Sequence, residues 1–133
     1  MCDAVSGRIL VVDDEPSLLK LVARYLTRLG FVVVTANTAD SGWDKFQAEP
    51  LGFDLAIIDL TLEGMSGMEL SVRILEATPG IRVMAMSGYP TGSKEIESKA
   101  PGRVSFLLKP FSPELLASAV TRAIQPRTCK ATC

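Results

Sequence analysis

Three carboxylates, Asp13, Asp14 and Asp59, stand at the ends of apolar runs in this chain, and Ser87 and Lys109 stand at the ends of two more. Brought together, three carboxylates repel one another and raise one another's pKa. A hard divalent cation resolves that repulsion: Mg²⁺ takes one or two carboxylates, with waters and phosphate oxygens completing its octahedron. One carboxylate can then act as a nucleophile toward a phosphoryl group and form an acyl phosphate. The cation and a lysine neutralise the equatorial oxygens, and a hydroxyl binds one of them. Lys109 and Ser87 supply the lysine and the hydroxyl. Each residue alone has a plainer reading, Asp59 as a helix cap, Lys109 as an ion-pair partner and Ser87 as a turn hydroxyl. Their shared placement is what favours chemistry.

That placement follows from the elements. Arg8–Val12 is a β-branched apolar run that ends in Asp13-Asp14. Pro16 suits a first helical turn, and Leu18, Leu19, Val22, Leu26 and Leu29 recur at helical spacing until Gly30. Phe31–Thr35 predicts a second strand, and Thr38 a cap for a helix whose stripe is Ala39, Trp43 and Phe46, closed before Pro50. The run Asp54–Leu60, bounded by Gly52 and Gly64, suits a strand buried on both faces and delivers Asp59 at its end. After the loop Leu60 to Gly67, a helix carries Met68, Leu70, Val72, Ile74, Leu75 and Ala77. Arg82–Met86 predicts a fourth strand, directly followed by Ser87-Gly88-Tyr89-Pro90. Thr91 to Gly102 is polar and interrupted by Gly and Pro, so only a short or mobile helix is expected there. Val104–Leu108 predicts a fifth strand ending in Lys109-Pro110-Phe111. Ser112 then caps a last helix, with Pro113 at its first position and Leu116, Ala119, Val120, Ala123 and Ile124 along its core stripe. Five strands alternating with five helices imply a doubly wound α/β parallel sheet, in which the five candidate residues emerge at one edge.

The whole chain narrows the function classes. Its 133 residues read as one domain at 8–125, with an N-terminal extension at 1–7 and a tail at 126–133. Fourteen Lys and Arg against 15 Asp and Glu give no basic field for nucleic acid and no polybasic face for a membrane. Neither a membrane span nor a signal peptide is legible, so a cytoplasmic protein is expected. The absence of histidine excludes Ser-His and Cys-His nucleophiles within this sequence, and Cys2, Cys129 and Cys133 read as exposed thiols.

The four segments Val11-Val12-Asp13-Asp14-Glu15, Ile58-Asp59-Leu60, Met86-Ser87-Gly88 and Lys109-Pro110-Phe111 resemble, in this order, the motifs of the receiver domain of two-component response regulators. The resemblance spans about residues 8 to 125 and implies the flavodoxin-like strand order 2-1-3-4-5. It also implies Asp59 as phosphoacceptor, Asp14 as a direct Mg²⁺ ligand, Asp13 bound to the ion directly or through water, and the backbone carbonyl of Thr61 as a further ligand. Ser87 would be the switch hydroxyl, Phe106 the aromatic that changes rotamer with it, Lys109 the phosphoryl-binding cation, and Gly88 the small residue that leaves the phosphoryl group room. The implied donor is a phosphohistidine on a histidine kinase or phosphotransfer protein. The implied output is a protein contact around the fourth helix, fifth strand and fifth helix, from a signalling switch rather than a turnover enzyme. The segments at Met86 to Pro90 and Phe106 to Pro113 look most like receivers of hybrid sensor kinases.

Departures from the pattern keep other readings open. Glu63 stands where a proline is usual, Ser87 where threonine is commoner, and Phe106 has no hydroxyl. Glu63 is the support for a degenerate receiver that binds proteins without being phosphorylated. A phosphohydrolase with an Asp nucleophile would want a second Asp two residues on, where Thr61 stands. A flavodoxin would want Ser, Thr and Gly where Asp13-Asp14-Glu15 would repel a phosphate.

Overall fold

Five apolar runs form the strands β1 (Arg8–Val12), β2 (Val32–Ala36), β3 (Leu55–Asp59), β4 (Arg82–Ser87) and β5 (Val104–Leu108). The structure is a computed structural model that describes residues 7–49, 52–60, 66–88 and 102–124. All strand pairs are parallel, in the order β2-β1-β3-β4-β5. The helices among the described residues are α1 (Pro16–Arg28), α2 (Ala39–Ala48), α3 (Gly67–Ala77) and α4 (Pro113–Ile124), so the last expected helix is α4 here. The short helix expected within Thr91 to Gly102 lies outside the described residues except for Gly102, which is in a turn.

The period-2 alternation of each strand divides the core into two layers. Leu10, Val12, Ala56, Ile58, Val83 and Ala85 meet Phe46 of α2 and Leu70 and Ile74 of α3. Ile9, Val11, Leu55, Ile57, Met84 and Met86 meet Leu19, Val22 and Leu26 of α1 and Leu116 and Val120 of α4. Because both faces are covered, β1, β3 and β4 read as unbroken apolar runs, and the sheet is doubly wound as expected. The strand order reverses between β1 and β3. The crevice beyond their carboxyl ends is where such sheets bind ligands.

Local chemistry fixes where each helix starts and stops. Gly30 has a φ of 105°, a left-handed conformation that glycine adopts without strain. It lets Gly30 N–H bond Thr27 O at 3.0 Å and Phe31 N–H bond Leu26 O at 3.1 Å, closing α1. Phe31 is therefore spent on that cap and turned into the core, and β2 starts one residue later than the sequence suggests. Thr38 Oγ1 accepts from Ser41 N–H at 3.0 Å and Ser112 Oγ from Leu115 N–H at 3.1 Å, as the capping pattern predicts. Ser66 does the same for Glu69 N–H at 3.0 Å. At the far end of α3, Arg103 donates to Ile81 O, Leu75 O and Thr78 O at 2.9, 3.2 and 2.8 Å, covering carbonyls at and beyond the helix end. Trp43 is half-buried core, stacked on Phe46 with ring centroids 5.8 Å apart, and Phe46 stacks on Phe53 at 6.1 Å. Among the described residues no helix is long and apolar enough to cross a membrane.

Phe46 is fully buried between those two rings. Phe46→Ala should lower the unfolding free energy by about 3–5 kcal/mol, read by urea denaturation, through lost transfer energy and the cavity left behind.

Candidate functional site

β1 and β3 deliver their carboxylates to the crevice by different routes. Asp13 follows β1 directly, with its N–H bonded to Ala36 O at 3.1 Å. Asp59 is the last residue of β3, opposite Met86, and the next N–H, Leu60, bonds Met86 O at 2.9 Å. Both residues are buried, at 0 and 1% exposure, whereas Asp14 is exposed. β5 ends opposite Ser87, and Lys109 N–H bonds Ser87 O at 2.8 Å, which places the lysine over the crevice; the Lys109-Pro110 peptide is cis.

The ammonium of Lys109 bridges the two buried carboxylates, 2.9 Å from Asp13 Oδ2 and 3.1 Å from Asp59 Oδ2. The other oxygen of Asp13, Oδ1, accepts the Glu15 N–H at 2.9 Å, one of the amides left unpaired where α1 begins. Burial pushes the Asp13 carboxyl above the ordinary Asp value; the Glu15 N–H and Lys109 oppose the rise and the Asp59 charge adds to it. Burial pulls Lys109 down, but its bonds to Asp13 and Asp59 and their charges more than reverse this, so its pKa lies above the ordinary Lys value.

Asp13, Asp14 and Asp59 each offer a carboxylate oxygen within 4.8 Å of the others. Three carboxylates and one ammonium leave two negative charges in the crevice, and hard oxygen donors so spaced fit a divalent cation such as Mg²⁺. Of the sequence-predicted residues, the structure brings Asp13, Asp14, Asp59 and Lys109 together. Ser87 is buried at the end of β4, as its last residue rather than the one after it. Among the described residues, no atom lies within 4 Å of where a Gly88 Cβ would be. Phe106 stands apart in β5, 41% exposed and paired with Ala85. Thr61 and Glu63 lie outside the described residues. Sequence reasoning missed two contributors, the Glu15 N–H and Gly67, whose absent side chain admits the Asp59 carbonyl. Neither carries a signal in the sequence, since both depend on contacts that form only once the sheet and helices are packed.

Fold and site together define a flavodoxin-like α/β domain with a lysine-bridged acidic pocket at its switch point. The model of the response regulator receiver domain matches residues 9–121, and the chain belongs to that family. It is 34% identical over 119 residues to the transcriptional regulatory protein GlrR of Escherichia coli (strain K12), covering 90% of this chain and 26% of that protein. The chain thus spans about a quarter of that relative's length. It is similar to a receiver domain protein of Clostridium thermocellum, with a TM-score of 0.79 at 29% identity over 89% of this chain and 94% of that one. It is also similar to the response regulator TrrA of Thermotoga maritima, solved in complex with Mg(2+)-BeF, with a TM-score of 0.76 at 27% identity over 87 and 97% of the two chains. Phosphorylation on Asp and Mg²⁺ binding are general to receiver domains, which act as signalling switches.

Lys109→Met should cost about 2–3 kcal/mol at neutral pH, because two buried carboxylates lose their shared cation. Without Lys109 to oppose burial, the Asp13 carboxyl lies still further above the ordinary Asp value. A raised carboxyl favours the fold only while protonated, so the cost should be small near that value and grow as pH rises through the folded pKa. Urea titrations of both proteins across pH read the difference.

Proposed function

We propose that this domain accepts a phosphoryl group on Asp59 from a phosphohistidine of a partner histidine kinase or phosphotransfer protein. Mg²⁺ would be held by Asp13, Asp14, Asp59 and the backbone carbonyl of Thr61. The observation that carries this reading is the Lys109 ammonium held between two buried carboxylates, 3.1 Å from the oxygen of the proposed acceptor. Asp59 attacks phosphorus as the P–N bond of the donor breaks, and the electron pair of that bond returns to the imidazole. With no histidine in these 133 residues, the donor imidazole lies outside them. Bound Mg²⁺ supplies positive charge to the phosphoryl oxygens.

The chain's own residues do the rest. Lys109, already beside Asp59, transfers a hydrogen bond to the incoming phosphoryl group without reorganising, and such preorganised donors are worth most in a site closed to water. Gly88 leaves a side for the group to occupy, and the Ser87 hydroxyl donates to one of its oxygens. Drawing Ser87 toward the phosphoryl group alters the end of β4, next to β5. Phe106, Leu108 and Leu115 present exposed apolar surface on β5 and α4, 41, 54 and 48% accessible, and form the output surface whose partner preference shifts with phosphorylation.

Incubation with acetyl phosphate and Mg²⁺, followed by intact mass, should show one added phosphoryl group. The adduct should vanish with EDTA and in Asp59→Asn. No adduct and no Mg²⁺ binding by calorimetry would leave a phosphorylation-independent protein-binding module instead. Mg²⁺ should also raise the melting temperature, and more at neutral than at acidic pH, because burial raises the Asp13 pKa and protons then compete with the ion.

A further inference from the structure

We infer that Gly67, the first residue of α3, is a positioning residue for Asp59: its bare Cα is the stop that holds the peptide of the phosphoacceptor in place. The inference rests on the proposed role of Asp59. Gly67 is not there for its backbone freedom, since the glycines with left-handed φ among the described residues are Gly30, Gly80 and Gly102. It is there for space. A Cβ on Gly67 would overlap the Asp59 carbonyl oxygen and lie 2.7 Å from both Asp59 C and Leu60 Cα. All three are backbone atoms, so no rotamer change relieves the overlap.

Neither side of this contact can retreat cheaply. The Asp59-Leu60 peptide is tied into the sheet by the Leu60 N–H bond to Met86 O at 2.9 Å. α3 is held down by Leu70 and Ile74, both fully buried. Its first turn is held by Ser71, whose buried hydroxyl donates to Gly67 O at 2.7 Å, and by the Ser66 cap on Glu69 N–H. A side chain at 67 therefore has to displace the end of β3, and the Asp59 carboxylate moves with it. Lys109 Nζ sits 3.1 Å from Asp59 Oδ2 and 2.9 Å from Asp13 Oδ2, so a displacement of even 1 Å breaks the shared bridge. The first turn of α3 thereby fixes where Asp59 stands relative to Asp13 and Lys109, although Gly67 touches neither metal nor phosphoryl group.

The test uses the full chain as wild type, Gly67→Ala, Ser71→Ala and Phe46→Leu, each at a temperature where circular dichroism shows it folded. Phe46→Leu is the control for lost stability, since Phe46 packs between Trp43 and Phe53 rather than on the Asp59 peptide. Calorimetry reads Mg²⁺ affinity, intact mass reads the rate of phosphorylation by acetyl phosphate, and NMR reads the Leu60 and Met86 amides. Gly67→Ala should weaken Mg²⁺ binding and slow phosphorylation about tenfold or more, and should displace both amide resonances. Phe46→Leu should melt lower yet keep wild-type affinity, rate and amide positions. A folded Gly67→Ala with wild-type affinity, rate and amides overturns the inference, as does the same loss in Phe46→Leu. If Gly67→Ala does not fold, Ser71→Ala decides, with Mg²⁺ binding about two- to threefold weaker expected and unchanged binding overturning the assignment. A wild type that binds Mg²⁺ but takes no phosphoryl group from any donor refutes the proposed function alone, and the Mg²⁺ and amide comparisons still judge Gly67.

Discussion

One ammonium group, that of Lys109, holds the functional edge of this molecule together. Asp13 and Asp59 lie 1 and 2% accessible in their side chains, and neither charge is tolerable in that position without a counter-charge. Lys109 reaches both from the end of β5, so a single cation ties β5, across β4, to the adjacent strands β1 and β3. The bridge is incomplete by design of the charges: one cation answers two buried anions, with Asp14 adding a third at the rim. The site is held in a state that any further positive charge improves, which suits the divalent ion that its three carboxylates fit.

The sheet makes that convergence possible. Parallel strands end on the same side, and the order β2-β1-β3-β4-β5 puts β1 and β3 next to one another. The two-layer core keeps the strand ends in register: small residues Ala56 and Ala85 face the α2 and α3 layer, while Met84 and Met86 fill the α1 and α4 layer. Placement of the carboxylates is thus a property of the backbone ladder more than of any loop.

The candidate site residues were legible because they obey strong local rules. Asp13, Asp14, Asp59 and Lys109 follow unbroken apolar runs, and Thr38 and Ser112 precede helical stripes, so strand ends and caps were fixed by pattern. What the pattern did not show depends on contacts between distant segments. Phe31 reads as strand until its N–H is claimed by Leu26. Ser87 reads as following its strand until β5 pairs with it through Leu108. Nothing in the sequence marks Arg103 as the residue on which three carbonyls from around the end of α3 and the start of β4 converge. Gly67 reads as a loop glycine, because nothing in the sequence says that a carbonyl of β3 passes against it. Phe106 was named through resemblance, and the structure shows it exposed on β5, apart from the carboxylates.

The bridge also has a history written in its sequence separations. Lys109 lies 96 residues from Asp13 and 50 from Asp59. During synthesis both carboxylates leave the ribosome, and their strands can pair, well before the lysine exists. A nascent chain that has β1 and β3 but not β5 must bury two like charges with no partner, so that half-sheet resists closing on itself. Docking of β5 removes the penalty in one step. The lysine-bridged pocket and the completed fold therefore come into being together.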